Sequence, residues 1–512
     1  MAESQAPAEI TIVSPLGTPA TAPVELATRL TPPRPGPIVL FDNGKLDPAF
    51  GNFLAIFDVV AAELRERLPD HPIVRMTVDL LATGDDPVAA AQRYLAAQTP
   101  AGVILALADS GVTQRTVELA RRLEAAGTPA VVVATPPGTG LARAIVEAQI
   151  PGLPIVDLDL LRTHTRDEVA QLTGQNADEI IGSLTRSVAE QWVRSARPGE
   201  ELGDLAAGAD GRVRWSGAPS ASADPNAPGR RLAEQLEALG LGDGLPVYIP
   251  DEASVAAMLA SADRDPDDVL FTGLVPSGIP VTVRLLAANA VLAGCRPEYF
   301  PVVLAAFEAM TDPRYRLSQA AITSHPSGNL ILVSGPLADR IGIAGGAGCL
   351  GPGHRANLGI GRAITLTLIN VGRIRPGEAD LAGFGSPAEI GYCLAENRAA
   401  SPWSTFGEDH YGSGETCVLV HRCEAPHNVI DHLSTTPEGL LTGIASVAAT
   451  LGANNAYQPA ELIVMLNPEH AHLVAQAGWT KRDIQLFLWD EARNPAVLLA
   501  GRGLPANRRR SR

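Results

Sequence analysis

A glycine-rich segment at residues 342–362 places a thiol, an imidazole and a guanidinium group close together in the chain. Cys349, His354 and Arg355 come directly before a helix predicted over residues 355–370. Glycine lets main-chain N–H groups approach a ligand, and a helix N-terminus favours both a bound anion and a cysteine thiolate. We therefore predict a nucleophilic or redox thiol at Cys349, with His354 as an acid or base. The alternative is a small buried cysteine packed among glycines.

The same segment carries groups that could bind an anionic substrate. Arg355 and Arg362 are seven residues apart, which is two helical turns, so a helix would present them on one face. Their guanidinium groups could clamp a carboxylate or a phosphate, and the backbone of Gly346 and Gly348 could add N–H donors. A solvated helix face explains the two arginines equally well. The Gly-x-Gly-x-x-Gly pattern in this loop lacks the flanking strand and downstream acid of a dinucleotide site, so no nucleotide cofactor is predicted.

Three residues elsewhere in the second half are further catalytic candidates. Cys295 lies between two predicted helices, where it could form a redox pair with Cys349 or pack in a core. His325 is in a polar loop before a strand and is a candidate general acid or base, or a surface histidine. Glu396 is predicted on one helical face with Cys393, where it could act as a base or orient a histidine.

Cys417, His421 and Cys423 alternate along an apolar segment that is predicted to be a strand. Alternation places all three side chains on one face, where thiolate and imidazole groups could bind a metal ion. The segment lacks a close Cys-x-x-Cys or His-Glu-x-x-His spacing. Packing within a sheet is therefore the favoured interpretation, and no metal ligand is assigned.

Short apolar runs alternate with helical patterns in the first part of the chain. Strands are predicted at residues 37–41, 73–80, 102–107 and 129–134, and helices at 49–67, 87–97 and 114–126. Strands that are apolar throughout and separated by helices indicate a buried parallel sheet with right-handed crossovers. The predicted fold class is α/β, with an N-terminal Rossmann-like parallel-sheet domain and a larger C-terminal α/β domain that contains the glycine-rich loop.

Three loops follow strands of this sheet and should converge on one edge, where such folds bind ligands. They are residues 42–45, 109–113 and 135–138. Asn43, Ser110 and Thr113 are the predicted substrate-binding residues of these loops. Ordinary turn chemistry, which also uses Asn, Ser and Thr, is the alternative.

Composition shifts divide the chain into five predicted parts. These are a disordered tail at residues 1–35, a first α/β domain at 36–195, a linker at 196–229, a C-terminal α/β domain at 230–505 and a basic tail at 506–512. Within the C-terminal domain, helices are predicted at 252–262, 280–294, 297–310, 355–370, 437–451, 468–477 and 480–493, and strands at 329–334, 416–423 and 461–465.

Charge and composition argue against several classes of function. The 512 residues carry a formal net charge of −16, which disfavours nucleic acid as the main partner. No apolar run reaches the roughly 18 residues that span a membrane, and the N-terminus lacks the features of a signal peptide, so a cytoplasmic protein is expected. Five cysteines are a poor disulfide framework. The expected partner is a small-molecule substrate, and the size of the second domain is compatible with a homo-oligomer.

The order of the polar loops in the first domain resembles that of the UGSC family. The resemblance is carried by Phe41-Asp42-Asn43-Gly44-Lys45, by Asp109-Ser110-Gly111-Val112-Thr113 and by residues 127–135. The family consists of (seleno)proteins of largely undefined activity, named for a selenocysteine- or cysteine-Gly-Ser-Cys motif after the third strand. The likeness covers residues 36–150. The second half, around residues 293–298 and 346–355, is similar to a longer domain found in some members.

The family's redox motif would fall on Ser110, Gly111, Val112 and Thr113. Neither the first nor the last of these positions carries sulfur or selenium, so Ser110 cannot perform thiol or selenol redox chemistry. The resemblance then implies a domain retained as a scaffold or for binding, or a Ser110 that acts as a hydroxyl donor or weak nucleophile. A serine nucleophile needs an adjacent base, and none is evident in the neighbouring sequence.

Three classes of function remain open. The sequence favours a cysteine-dependent enzyme that acts on a small anionic substrate, with redox or carbon–heteroatom bond chemistry at Cys349. The first alternative is a non-redox lyase or hydrolase that uses Ser110 or a bound metal ion. The second is a binding or scaffold protein that has lost the redox motif. The sequence identifies no cofactor.

Overall fold

The computed structural model describes most of the chain and divides it into two compact units. The described residues are 8–17, 24–30, 34–80, 86–109, 111–136, 138–186, 212–217, 227–412, 414–457 and 461–500. The first unit comprises Met1–Leu330, Leu358–Tyr392 and Val420–Glu424, and the second comprises Ile331–Asn357, Cys393–Leu419 and Ala425–Arg512. The division therefore does not follow the boundary that composition suggests at residues 196–229, most of which lie outside the described residues.

Strands and helices occur along the whole described chain. The strands are β1 (Ala8–Val13), β2 (Ile38–Asp42), β3 (Ile73–Thr77), β4 (Gly102–Ala108), β5 (Ala130–Ala134), β6 (Ile155–Asp157), β7 (Arg212–Gly217), β8 (Val269–Phe271), β9 (Val281–Thr282), β10 (Gly328–Ser334), β11 (Cys393–Ala395) and β12 (Cys417–Cys423). The helices are α1 (Leu54–Arg67), α2 (Pro87–Ala97), α3 (Thr113–Ala125), α4 (Gly138–Gln149), α5 (Arg166–Gln175), α6 (Ala177–Thr185), α7 (Ala227–Ala238), α8 (Glu252–Ala260), α9 (Val283–Leu292), α10 (Phe300–Met310), α11 (Leu317–Ala321), α12 (Pro336–Ile341), α13 (Arg355–Asn370), α14 (Phe406–Tyr411), α15 (Pro437–Ala448), α16 (Asn454–Tyr457), α17 (Pro468–Gln476), α18 (Lys481–Glu491) and α19 (Ala496–Leu499). Among the described residues, none of these helices combines the length and apolar character needed to cross a membrane.

The five-stranded sheet of the first unit is parallel throughout, with the strand order β3-β2-β4-β5-β6. Leu40 of β2 lies between Arg75 of β3 and Ile104 of β4. Strands β2, β4 and β5 are buried along their whole length, as expected where helices cover both faces of a parallel sheet. The α/β fold class and the strands predicted for this domain are confirmed.

Helices hold this sheet in place and so fix the loops at its edges. Phe57 and Val60 of α1 and Ile181 of α6 share a buried apolar cluster with Ile104 and Val131 of the sheet. Helix α3 packs against α2 and α4. The loops that connect strands to these helices are therefore anchored at both ends.

Strand β1 lies within the segment predicted to be a disordered tail. It pairs with β7 in an antiparallel ladder, in which Ile10 lies opposite Trp215 and Ile12 opposite Val213. Ile12 and Trp215 are buried. The structure thus corrects the tail prediction for residues 8–13, because Ile10 and Ile12 alternate with polar residues in the pattern of a half-buried strand. The basic tail at residues 506–512 lies outside the described residues.

Strand β10 is the central strand of a three-stranded sheet with the order β11-β10-β12. It pairs in parallel with β11, so that Leu332 lies opposite Leu394. The prediction that Cys393 and Glu396 share a helical face is wrong, because Cys393 begins strand β11 and Glu396 follows its end. Three apolar residues fit either period, and pairing with β10 decides in favour of the strand.

The C-terminal part of the second unit contains a helical cluster. Leu441 of α15, Val474 of α17 and Leu488 of α18 pack together in it. The strand predicted at residues 461–465 does not form. Val464 instead packs against the helical cluster, so its apolar side chain is partly buried without a strand partner.

Candidate functional site

The strand order of the five-stranded sheet reverses between β2 and β4, which are neighbours in the sheet. The chain leaves β2 for β3 on one side and continues from β4 towards β5 on the other. Ligands of open parallel sheets bind in the crevice outside the carboxyl ends of the strands at such a switch point. Residues 42–45 and 109–113 lie at the two strand ends concerned.

Asn43 joins these two loops. Its side chain is completely buried, its Nδ2 donates to the Leu107 carbonyl at 2.9 Å and to Thr116 Oγ1 at 2.7 Å, and its Oδ1 accepts from the Lys45 N–H at 3.2 Å. These bonds occupy the amide, so the contacts favour a positioning role for Asn43 over the predicted contact with substrate.

Thr113 is also committed within the protein. It is completely buried at the start of α3, and its hydroxyl donates to the Asp109 carbonyl at 2.8 Å. This bond fixes the turn that carries the motif positions. Ser110 lies outside the described residues, so its predicted role stays a prediction.

Asp42 shapes the first loop. Its Oδ1 accepts from the N–H groups of Gly44 and Leu46, and its Oδ2 accepts from the Thr77 hydroxyl. Burial raises the pKa of Asp42 despite these hydrogen bonds. Gly44 has a φ of +94°, and a Cβ there would lie 3.3 Å from the Asp79 Cα, so this tight turn requires glycine.

Three charged residues meet at the switch point, and we call them the switch-point cluster: Lys45, Asp109 and Arg162. Lys45 Nζ lies 3.2 Å from Asp109 Oδ2, and both side chains are only 6% exposed. Arg162 Nη2 lies 3.3 Å from the same oxygen but is 54% exposed. Lys45 Nζ also sits 4.5 Å from the centroid of the Phe50 ring, which adds a cation–π contact.

The electrostatics of the switch-point cluster suit both anion binding and proton transfer. Burial lowers the pKa of Lys45, and the neighbouring Asp109 carboxylate opposes this shift only in part. As an ammonium group paired with Asp109, a lysine with a lowered pKa can donate a proton as a general acid. The two cations exceed the single carboxylate by one charge, and the exposed guanidinium of Arg162 is accessible to an incoming anion.

The third predicted loop reaches the same edge of the sheet. The Thr135 N–H donates to the Ala108 carbonyl at 3.1 Å. A Cβ on Gly138 would lie 2.3 Å from that carbonyl oxygen, so α4 can begin this close to β4 only with glycine. The predicted convergence of the three loops is therefore confirmed.

Comparison with known proteins finds a family match for the part of the chain that contains this site. The family model of the UGSC family matches residues 11–186. This part of the chain belongs to the UGSC family. We call residues 11–186 the UGSC segment. It contains the whole five-stranded sheet and every member of the switch-point cluster, and it extends beyond the residues that carry the resemblance in sequence. No curated protein and no solved structure matches the chain.

The glycine-rich loop lies outside the UGSC segment and is tied down by one side chain. Asn357 of α13 accepts from the Ala344 N–H at 2.8 Å and donates to the carbonyls of Ala344 at 2.9 Å and Cys349 at 3.0 Å. Cys349 and His354 are half-buried and Arg355 is exposed. The helix predicted after this loop has the bounds of α13, Arg355–Asn370. In the described part of the chain, no hydrogen bond joins the Cys349 thiol to His354.

Gly346 and Gly348 form turns within the loop and are exposed. The Gly346 carbonyl accepts from the Cys349 N–H, and the Gly348 carbonyl accepts from the Gly351 N–H. Gly348 has a φ of +74°, a left-handed conformation that favours glycine. Both residues therefore have a local conformational role, and their predicted contact with substrate stays a prediction.

Arg362 is committed to an internal carboxylate. Its Nε and Nη2 each lie 2.7 Å from an oxygen of Asp243, and Nη2 also donates to the Leu245 carbonyl. Arg362 is 8% exposed, whereas Arg355 at the start of the same helix is exposed. The predicted two-arginine clamp is therefore not supported, because a bidentate ion pair already saturates one of its members.

Cys295 packs in the core, which was the alternative to a redox pair with Cys349. It is buried, its N–H donates to the Ala290 carbonyl at the end of α9, and a Cβ on Gly359 would lie 3.5 Å from its sulfur. All five cysteines lie in the described part of the chain, and none of them forms a disulfide.

His325 lies on a surface loop before β10. Its Nδ1 is 3.9 Å from the Glu424 carboxylate, and both side chains are nearly half exposed. Solvent screens an ion pair of this length, so the contact orients the imidazole only weakly.

Glu396 organises a polar cluster in the second unit. Its carboxylate accepts from the Ser334 hydroxyl at 2.6 Å and from the Phe406 N–H at 2.9 Å. Burial raises the pKa of the nearby Cys417 thiol, and the Glu396 charge adds to this shift. The carboxylate is therefore occupied by holding Ser334 and the start of α14. The sequence did not identify Ser334 as a member of this polar cluster, because no neighbouring residue indicates that its hydroxyl is buried beside Glu396.

The segment predicted as a strand with alternating cysteines is β12. Burial raises the pKa of Cys423 to about 11, so the thiolate that binds metals is disfavoured there. Among the described residues, no group of three His, Cys, Asp or Glu side chains could hold a metal ion.

Proposed function

We propose that this protein is an enzyme for a small anionic substrate, which it binds at the switch-point cluster and transforms without redox chemistry. The observation that carries the proposal is the buried Lys45–Asp109 pair at the point where the strand order reverses. A buried charged pair is expensive to maintain, and such pairs at the carboxyl ends of parallel strands are typical of functional sites.

Each residue of the cluster has a proposed role. Arg162, with its exposed guanidinium, anchors the anionic group of the substrate. Lys45, as an ammonium group with a lowered pKa, donates a proton to the substrate as a general acid. Asp109 holds both cations in position. A general acid beside an anion anchor supports a lyase or hydrolase reaction, and serine at the first motif position is consistent with chemistry that uses neither sulfur nor selenium.

Binding and turnover of small carboxylates and phosphate esters test this proposal. The principal variant is Arg162→Gln, which leaves the buried Lys45–Asp109 pair intact. Its matched control is Arg166→Gln, an exposed arginine of the same domain that pairs with Asp58. We expect Arg162→Gln to weaken binding of the active compound about tenfold or more and the control to bind normally. Equal binding by both variants would overturn the proposal.

A second candidate function, thiol-dependent chemistry, is favoured by the position of Cys349. Its half-buried side chain lies on a loop fixed by Asn357, whereas burial raises the pKa values of Cys417 and Cys423. Alkylation of the native protein, followed by peptide mass mapping, tests this candidate. Labelling of Cys349 first, with loss of turnover in Cys349→Ser, would support it; labelling only after unfolding would exclude it.

A further inference from the structure

A cavity of about 410 Å³ lies between the N-terminal turn of α2, one side of α3 and the segment at residues 313–319. Its size is in the range of sites that bind small metabolites. The charged and amide side chains that line it are Asp86, Gln114, Arg115, Glu118, Arg122 and Arg316. The helices belong to the UGSC segment, but residues 313–319 follow it in the chain. None of the lining residues belongs to the switch-point cluster.

The carboxylates of this cavity are already occupied by one of its three arginines. Glu118 accepts from Arg122 Nε at 2.7 Å and also from Arg121. Asp86 caps α2 through the Val88 and Ala89 N–H groups and lies 3.4 Å from Arg122 Nη1. The lining therefore carries three guanidinium groups against two carboxylates, an excess of one positive charge, and both carboxylates already contact Arg122.

Arg115 and Arg316 are the two cavity arginines that do not contact these carboxylates. Arg115 donates to the Leu80 carbonyl. Its pKa is lowered first by burial and then by the positive charge of Arg316, while the negative charges of Asp86 and Asp79 oppose this shift. Within the described part of the chain, neither guanidinium forms an ion pair with a carboxylate. Two cations held close together gain free energy when an anion binds between them.

Gln114 adds an unfilled acceptor. Its Oε1 is buried and has no hydrogen-bond donor, and such a group carries a desolvation cost that a ligand donor would remove. Arg316 adds a second sign of a constrained site, because its φ of +55° is uncommon for a residue other than glycine.

We propose that this cavity is a second binding site, which takes a small organic anion that also carries an O–H or N–H donor. The carboxylate or phosphate group lies between Arg115 and Arg316, and the hydroxyl or amino group donates to Gln114 Oε1. A hydroxycarboxylate is the simplest ligand with both groups.

Calorimetry on the full chain with malate, succinate and inorganic phosphate tests this site. Malate carries the hydroxyl that succinate lacks, so we expect malate to bind about tenfold more tightly. Gln114→Met should abolish this preference, and Arg316→Gln should weaken malate binding about tenfold. Arg314→Gln is the matched control, because Arg314 is 91% exposed and pairs with Asp312 outside the cavity lining.

The outcomes also separate this site from the switch-point cluster. Normal malate binding in Arg162→Gln together with weakened binding in Arg316→Gln supports the cavity. The reverse pattern would overturn it and assign the anion to the switch-point cluster. Absence of malate binding by the native chain, or equal affinities for malate and succinate, would also overturn it.

Discussion

The switch-point cluster and the glycine-rich loop place reactive groups in opposite ways. At the switch point, Lys45 and Asp109 are buried and compensate each other, and only Arg162 reaches solvent. In the glycine-rich loop, Cys349 and Arg355 are at least partly accessible, and the loop is fixed through its backbone by Asn357. At the switch point, two charged side chains are buried as an ion pair. In the glycine-rich loop, reactive side chains are partly or fully exposed on a backbone that Asn357 holds in place. Residue types read from a sequence therefore indicate a site such as the glycine-rich loop more readily than a buried site such as the switch-point cluster.

The largest expected effect comes from breaking the switch-point pair. Lys45→Met leaves Asp109 buried with only the partly exposed Arg162 as a partner. We expect the free energy of unfolding to fall by about 4 kcal/mol, because a buried charge loses its main compensation. Urea denaturation measures this change. Arg166→Gln, at an exposed pair, should change stability by less than about 1 kcal/mol. Equal losses of unfolding free energy in the two variants would show that Lys45 does not compensate the buried charge of Asp109.

The glycine-rich region contains a buried ion pair of its own, which sharpens the comparison. Arg362→Gln leaves Asp243 buried without its bidentate partner, and we expect a loss of about 3 kcal/mol. Arg355→Gln, seven residues earlier and exposed, should change the free energy of unfolding by less than about 0.5 kcal/mol. A similar loss in both variants would mean that the two arginines act together after all.

Removal of the loop anchor has a smaller expected effect. Asn357→Ala leaves the Ala344 N–H and two carbonyls without their partner, so we expect a loss of about 2 kcal/mol. Hydrogen exchange of the Ala344 amide should also accelerate. Unchanged protection of this amide would show that the glycine-rich loop is held by other contacts.

The smallest effect concerns the pH dependence of cysteine labelling. Burial disfavours the thiolate and raises the pKa of Cys423 to about 11, so alkylation of this residue should rise only as the pH approaches that value. At neutral pH, peptide mapping should find Cys349 labelled and Cys423 unlabelled. Prompt labelling of Cys423 at neutral pH would contradict its raised pKa.

The elements were predictable where the local pattern is strong. The apolar runs of β2, β4 and β5 and the bounds of α13 follow from sequence, because burial on both faces and helical periodicity are local signals. β11 was misassigned because three apolar residues carry no clear period. β1 was missed because its partner strand lies about 200 residues further along the chain.

The candidate site was predictable only as a place. Strand order and loop composition indicate which edge of the sheet the polar residues share, but they carry no distances. Asn43 was assigned to substrate because its partners, Leu107 and Thr116, lie far away in sequence. Lys45 was named only as part of a loop, since its chemistry depends on burial beside Asp109.

Pairing of β1 with β7 has a consequence for how this protein is made. The ladder joins Ala8 to Gly217, so the first strand leaves the ribosome long before its partner exists. At about 5–20 residues per second, roughly 200 intervening residues take on the order of 10–40 s to synthesise. During that interval Ile10 and Ile12 have no strand to cover them, while the five-stranded sheet can already form. The nascent chain therefore carries an unpaired, aggregation-prone edge that is closed only after the UGSC segment is complete.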